Sequence, residues 1–264
     1  MKWFFLLTII IPTMNSYSQQ LKRADTIELN GLQTYYEVYG KGNPLFLLHG
    51  FTQSSISWSQ FIPEYSNDYE IYLVDLMGHG KSSAFVEDVS VKSAARNLLD
   101  LIGYLGLDSI NAIGYSYGGE ILFQLALINP DLIKSMIIIG SCGTWHAKDF
   151  PEFVEYLSYK NVDNLPWMRE QQISDERIKN ILNQFPNYAV QLSEAELKSI
   201  KTRTLLVAGD HDYATPLECV IKAKTNMPNA FLWIVPNTEH RVHLDKNKDL
   251  FLKISKDFLN NNHW

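Results

Sequence analysis

The residues best placed to do chemistry stand together in Gly114-Tyr115-Ser116-Tyr117-Gly118-Gly119. Ile110 to Ile113 before them reads as a buried strand, and Glu120 to Asn129 after them reads as a helix. A serine in a G-x-S-x-G pattern between strand and helix sits on a turn so tight that its hydroxyl is pushed outward. Side chains two positions to either side would collide there, which accounts for Gly114 and Gly118, while Gly119 lets the helix lie close to the strand behind it. The helix also aims free N–H groups and the positive end of its dipole at Ser116. A serine hydroxyl is a poor nucleophile near neutral pH; it needs a base, and the base needs an acid to orient it. The plainer reading, a Gly-rich turn whose serine caps a helix, needs neither.

From about Ile27 to the C-terminal helix the chain resembles the α/β-hydrolase superfamily. The resemblance is carried by this elbow, by Leu48-His49-Gly50-Phe51 and by Asp75-x-x-Gly78-His79-Gly80-Lys81-Ser82. It implies that nucleophile, acid and base follow in that order, with acid and base on loops after later strands. Gly209-Asp210-His211-Asp212 fits the family's G-x-x-D pattern, whose acid is Asp212, with Asp210 as the second candidate. The base is His240, first histidine after the last strand, with His243 as the alternative; Glu239 stands where relatives carry glycine. The resemblance further implies an oxyanion hole made by the backbone N–H groups of Phe51 and Tyr117. His49 is expected to be structural, its ring bonded to backbone. The Asp75 to Ser82 loop is expected to brace strand ends and carries no chemistry; it is too short for a phosphate-binding P-loop. His211, Asp212, His240 and His243 are metal-ligand types, but a metal would leave the Ser116 elbow unexplained. No cofactor and no metal are expected. Arg203 replaces the proline that many relatives have before the threonine at Thr204.

The elements that must position these groups are legible as alternating strands and helices. Thr26 to Asn30 and Thr34 to Val38 flank Gly31 as an antiparallel hairpin. Leu45 to Leu48, Glu70 to Leu76, Met136 to Ile139, Thr204 to Ala208 and Phe231 to Val235 are apolar runs of the kind buried on both faces of a sheet. Val91 to Gly103 and Leu250 to Leu259 have helical spacing, and Pro216 opens another helix. The pattern predicts an α/β fold with a mostly parallel central sheet and helices on both faces. Between about residues 143 and 200 the strand rhythm stops, and aromatic, amphipathic segments follow, closed by a Ser193–Glu196 capping box. A stretch that long between core strands predicts a helical cap over the active site, with Trp145 and Trp167 lining a substrate pocket.

Hydrophobic residues make up 46% of the 264 and charged ones 20%, which is ordinary for a globular chain able to bury one large core. The formal charge of −6 and the lack of a basic stripe argue against a nucleic-acid partner. Lys2, the apolar run Trp3 to Ile11, Pro12 and Ser16-Tyr17-Ser18 form the pattern of a signal peptide, residues 1–18, with the mature domain spanning 19–264. The run is too short to cross a bilayer, so no stable membrane anchor is expected, and the protein is expected to be exported to a periplasm or outside the cell. Cys142 and Cys219 are expected at a strand end and early in a helix, as two free thiols.

These expectations combine into a secreted serine hydrolase that cleaves an ester or related acyl bond of a small molecule with an apolar part. Serine at the elbow argues against the haloalkane dehalogenases and epoxide hydrolases of the same fold, which use aspartate there. Leu48 to Ser54 also resembles cofactor-independent relatives that act on C–C bonds or eliminate pyruvate, and the fold serves some lineages as a ligand-binding receptor.

Overall fold

The computed structural model describes residues 20–87 and 89–261. The proposed leader lies outside the described residues. Three strands open the chain: β1 (Leu21–Leu29), β2 (Leu32–Gly40) and β3 (Asn43–Leu48). After a short helical turn, α1 (Ile62–Tyr65), come β4 (Tyr69–Val74), α2 (Val91–Tyr104), β5 (Ile110–Tyr115), α3 (Tyr117–Ile128) and β6 (Ile133–Ile139). The stretch before the next core strand holds β7 (Thr144–His146), α4 (Pro151–Tyr156), α5 (Pro166–Gln171), α6 (Asp175–Gln184), β8 (Ala189–Gln191) and α7 (Glu194–Ser199). The chain closes with β9 (Arg203–Gly209), α8 (Leu217–Asn226), β10 (Ala230–Val235) and α9 (Lys248–Leu259).

Eight strands form one sheet in the order β1-β2-β4-β3-β5-β6-β9-β10. The β1–β2 and β2–β4 pairings are antiparallel; every pairing from β4 to β10 is parallel. The period of two sorts side chains between the faces. Phe46, Leu48, Met136 and Ile138 join a core with α2 and α3, while Leu45, Leu47, Ile137 and Ile139 join a core with Trp58, Phe61, Phe251 and Phe258 from the elements beneath. Because the sheet is covered on both sides, its central strands read as unbroken apolar runs. Arg203, where relatives have proline, donates to the Phe258 carbonyl (2.5 Å) and lies 3.8 Å over its ring, fastening α9 to the sheet.

The helical stretch after β6 is held to the body through backbone groups of the loop after β4. On α6, Arg177 donates to the carbonyls of Gly80 and Ser82, Asn180 exchanges hydrogen bonds with Phe85, and Gln184 accepts from Val89 N–H. Positions 177, 180 and 184 fall on one face of a helix, so a single polar stripe satisfies the loop. Gln172 adds bonds to Gly80, Thr52 and Gln53. The loop thus receives these helices as well as bracing strand ends: the Asp75 carboxylate accepts from Ser55 N–H (2.7 Å) and Lys81 N–H (2.8 Å). α7 opens with the capping box of Ser193 and Glu196.

The two cysteines depart from expectation. Cys142 and Cys219 form a disulfide, with Cα atoms 5.7 Å apart, and none of the described cysteines is free. The sequence separation of 77 hides the reason. Parallel β6 and β9 are neighbours, so the segment leaving β6 and the helix reached from β9 arrive at the same edge of the sheet.

Candidate active site

Ser116 caps the N-terminus of α3 with φ 50° and ψ −113°, a backbone conformation that side chains other than glycine rarely adopt. The surrounding packing enforces it. A Cβ on Gly114 would lie 2.5 Å from the Gly118 carbonyl oxygen, and one on Gly118 would lie 2.5 Å from the Leu48 carbonyl oxygen. Ser141, a residue that the sequence pattern did not single out, donates its hydroxyl to the Ser116 carbonyl (2.6 Å) and ties the elbow to the end of β6.

Asp212 and His240 meet. His240 Nδ1 is 2.8 Å from Asp212 Oδ2, and the other oxygen, Oδ1, accepts from the N–H groups of Ala214 (2.9 Å) and Thr215 (2.8 Å). The Asp212 side chain is 0% exposed and that of His240 is 22% exposed, so one end of the pair is sealed and the other faces the cavity. A carboxylate can only accept, so Nδ1 carries the proton and Nε2 is left as an acceptor. Gly140, at φ 60°, makes room for the ring: a Cβ there would stand 2.8 Å from His240 Cε1. The Thr215 hydroxyl donates to the Gly140 carbonyl (2.9 Å) and holds that corner. An aspartate whose next backbone N–H groups fold onto its carboxylate is a recognisable turn signal, so Ala214 and Thr215 were legible in principle.

The second candidates stand elsewhere. Asp210 is exposed, and the N–H groups of Asn237 and Thr238 hold its carboxyl below the usual range. His243 is buried among Trp58, Phe61, Tyr115 and Phe251, and burial pushes it down to about 3. His49 is also fully buried: its Nε2 accepts from Leu76 N–H (3.0 Å), and its Nδ1 lies 2.8 Å from the Gly50 carbonyl. Among the described residues no group of three or more His, Cys, Asp or Glu is placed to hold a metal ion.

Ser116 and His240 line one cavity of about 960 Å³, together with Phe51, Trp145, Trp167 and Tyr188. Trp145 donates to the Ala214 carbonyl (2.7 Å) and stacks on Phe150, and Trp167 donates to the Thr52 hydroxyl (3.2 Å). Phe51 meets the Tyr117 ring edge-on at 5.5 Å, bringing the turn after β3 beside the first residue of α3. The cavity also reaches Glu120, one turn along α3 from Ser116. Its sequence signal was a charge inside a helix otherwise carried by Ile121, Leu122, Phe123 and Leu125.

Burial pushes the Glu120 carboxyl up to about 7, opposed only by the N–H groups of Cys142 and Gly143 on Oε1. The folded protein therefore holds this proton more tightly than the unfolded chain. The stabilisation is complete below about pH 4.5, is lost as pH rises through about 7, and leaves a constant cost above that, on the order of 3 kcal/mol. Between about pH 5 and pH 8 the melting temperature of the native protein should fall against that of Glu120→Gln by about 5–10 °C. Parallel melting curves would show that the carboxyl is solvated.

The alpha/beta hydrolase fold family matches residues 43–175, which include the elbow and the HG turn. The chain belongs to that family. A soluble epoxide hydrolase of Corynebacterium sp. (strain C12) is 32% identical over 111 residues, 42% of this chain, and the match spans only 39% of that enzyme's length. Among solved structures, carboxylesterase CesB of Bacillus subtilis superposes with a TM-score of 0.78 at 20% identity, covering 93% of each chain. A meta-cleavage product hydrolase of Pseudomonas fluorescens IP01 superposes at 0.74 and 19% identity, covering 90% of this chain and 97% of that one. At these identities the likeness is one of fold.

Proposed function

We propose that this α/β-hydrolase is a serine hydrolase that cleaves an ester or related acyl bond of a small molecule with an apolar part, without a cofactor. The observation that carries the reading is one cavity lined both by Ser116 on its strained elbow and by His240, whose far nitrogen is bonded to sealed Asp212. Ser116 Oγ attacks the carbonyl carbon as His240 Nε2 takes its proton. The oxyanion forms against the N–H groups of Tyr117 and Phe51, and the imidazolium is held by Asp212. Collapse breaks the acyl–oxygen bond, and His240 returns the proton to the leaving alcohol. Water then attacks the acyl-enzyme by the same route, giving the free acid and restoring Ser116.

The elbow serine separates this chain from its epoxide hydrolase relative, since aspartate is the nucleophile in that class. C–C bond hydrolysis is the second reading, favoured by the meta-cleavage product hydrolase fold match and by the same serine chemistry. A panel of esters of graded acyl length, run beside a vinylogous diketone, tests both. Ester turnover with a chain-length optimum is expected, and alanine at Trp145 or Trp167 should shift that optimum while probe labelling of Ser116 persists. Cleavage of the diketone alone would install the second reading, and an unmoved optimum would remove the cap as the specificity element.

Export is part of the proposal. It is supported by the pattern of residues 1–18 and by the Cys142–Cys219 disulfide, since such bonds persist in oxidising compartments. Protein recovered from outside the cytoplasm should begin near Gln19 and take up no iodoacetamide before reduction. An intact Met1 in the cytosol, with two alkylatable thiols, contradicts it.

A further inference from the structure

Glu120 does more than close a gap in the core. Its Oε1 accepts the N–H groups of Cys142 and Gly143, both at 3.2 Å, where the chain leaves β6. Its Oε2 has no hydrogen-bond partner, although the residue is 96% buried at 4% exposure and lines the cavity that holds Ser116. The Tyr188 hydroxyl, from the cap side of the same cavity, is also without a partner and interacts electrostatically with Glu120. A buried acceptor left unsatisfied costs about 1–3 kcal/mol, more when charged, so a bound group that supplies the missing bond recovers that cost. Among the described residues no cation is set against the Glu120 carboxyl; burial is opposed by two backbone N–H groups. Glu120 lies four residues beyond Ser116, about 6 Å along the helix axis. A short acyl chain anchored at Ser116 spans that length.

We propose that Glu120 Oε2, together with the Tyr188 hydroxyl, is a specificity-determining seat for a hydrogen-bond donor at the far end of the acyl group. The donor is a hydroxyl or an ammonium, each able to supply the bond that Oε2 lacks once the carboxyl is ionised, above about pH 7. The seat rests on the serine-hydrolase reading and narrows it: the cavity walls select an apolar chain, and the seat selects what ends it. A site built to bond a donor discriminates against the methyl-ended analogue more strongly than an apolar wall discriminates against an extra methylene.

The test compares kcat/KM at about pH 8.5, where the Glu120 carboxyl is ionised, for ethyl esters of ω-hydroxy, ω-ammonio, ω-keto and plain alkanoic acids, from butanoate to octanoate. At one chain length a donor-ended ester should exceed the plain ester by about tenfold or more. In Glu120→Gln the amide oxygen still accepts from Cys142 and Gly143, but the group in place of Oε2 now donates. The donor preference should fall at least tenfold and the ω-keto ester should gain. Support of the cap root alone would lower all four esters together, and that result overturns the proposal. Tyr188→Phe should lower the donor preference by about threefold, and it decides the matter if Glu120→Gln does not fold. Calorimetry on Ser116→Ala with the ω-hydroxy and plain esters reads the seat without turnover. Equal affinities refute the seat; tighter ω-hydroxy binding, with no ester hydrolysed by the native protein, supports it and refutes the hydrolase reading.

Discussion

Ser116→Ala protein should turn over esters roughly 10⁴–10⁶-fold more slowly than the native protein, with an unchanged fold. The size of the loss follows from what the serine does in the proposed mechanism: without Oγ there is no acyl-enzyme, and only binding and oxyanion stabilisation remain to assist water. The variant keeps the strained backbone. Ser116 sits at φ 50°, where alanine is no more comfortable than serine, so the melting temperature should move by no more than about 2 °C. A fluorophosphonate probe should attach to Ser116 in the native protein, and peptide mapping should find no other serine modified. An adduct on another residue, or full ester turnover in the alanine variant, removes the elbow from the mechanism.

Asp212→Asn and His240→Ala should each lower kcat by about 10³-fold or more. The asparagine keeps an oxygen for the N–H groups of Ala214 and Thr215 but turns an amide toward His240 Nδ1. The ring must then accept at Nδ1 and carry its proton on Nε2, the wrong tautomer for the proposed base of Ser116. Combining either change with Ser116→Ala should add little, because residues acting as one unit are strongly non-additive. Asp210→Asn should cost less than about tenfold, since that carboxylate is exposed and bonded to the Thr238 N–H. His243 predicts a different signature. Packed against Trp58, Phe61 and Phe251, its truncation to alanine opens a hole worth on the order of 3 kcal/mol of stability, while kcat of the folded fraction stays within about tenfold. A kcat collapse at Asp210 or His243, with Asp212 and His240 tolerant, would reassign the acid and base and leave the nucleophile standing.

Much of the molecule was determined by the sequence alone, because the relevant physics is local. The glycines around Ser116 declare a turn that no side chain can share. Leu45 to Leu48 and Met136 to Ile139 declare strands buried on both faces, and Ser193 with Glu196 declares a helix start; each signal lies within a few neighbours along the chain. The Asp212 and His240 assignments came from strand order and motif, and the structure brings those two side chains within 2.8 Å. Tertiary structure alone decided what depends on which strand ends meet. The disulfide follows from β6 lying beside β9, a pairing that residues 77 apart do not announce, and expecting free thiols missed it. The polar stripe of α6 acquires its role only from the loop after β4 packed against it. Glu120 is one charge in an otherwise uncharged helix. Whether such a carboxylate is satisfied depends on every element around it, and only the packed structure leaves Oε2 unpartnered in a residue that lines the cavity.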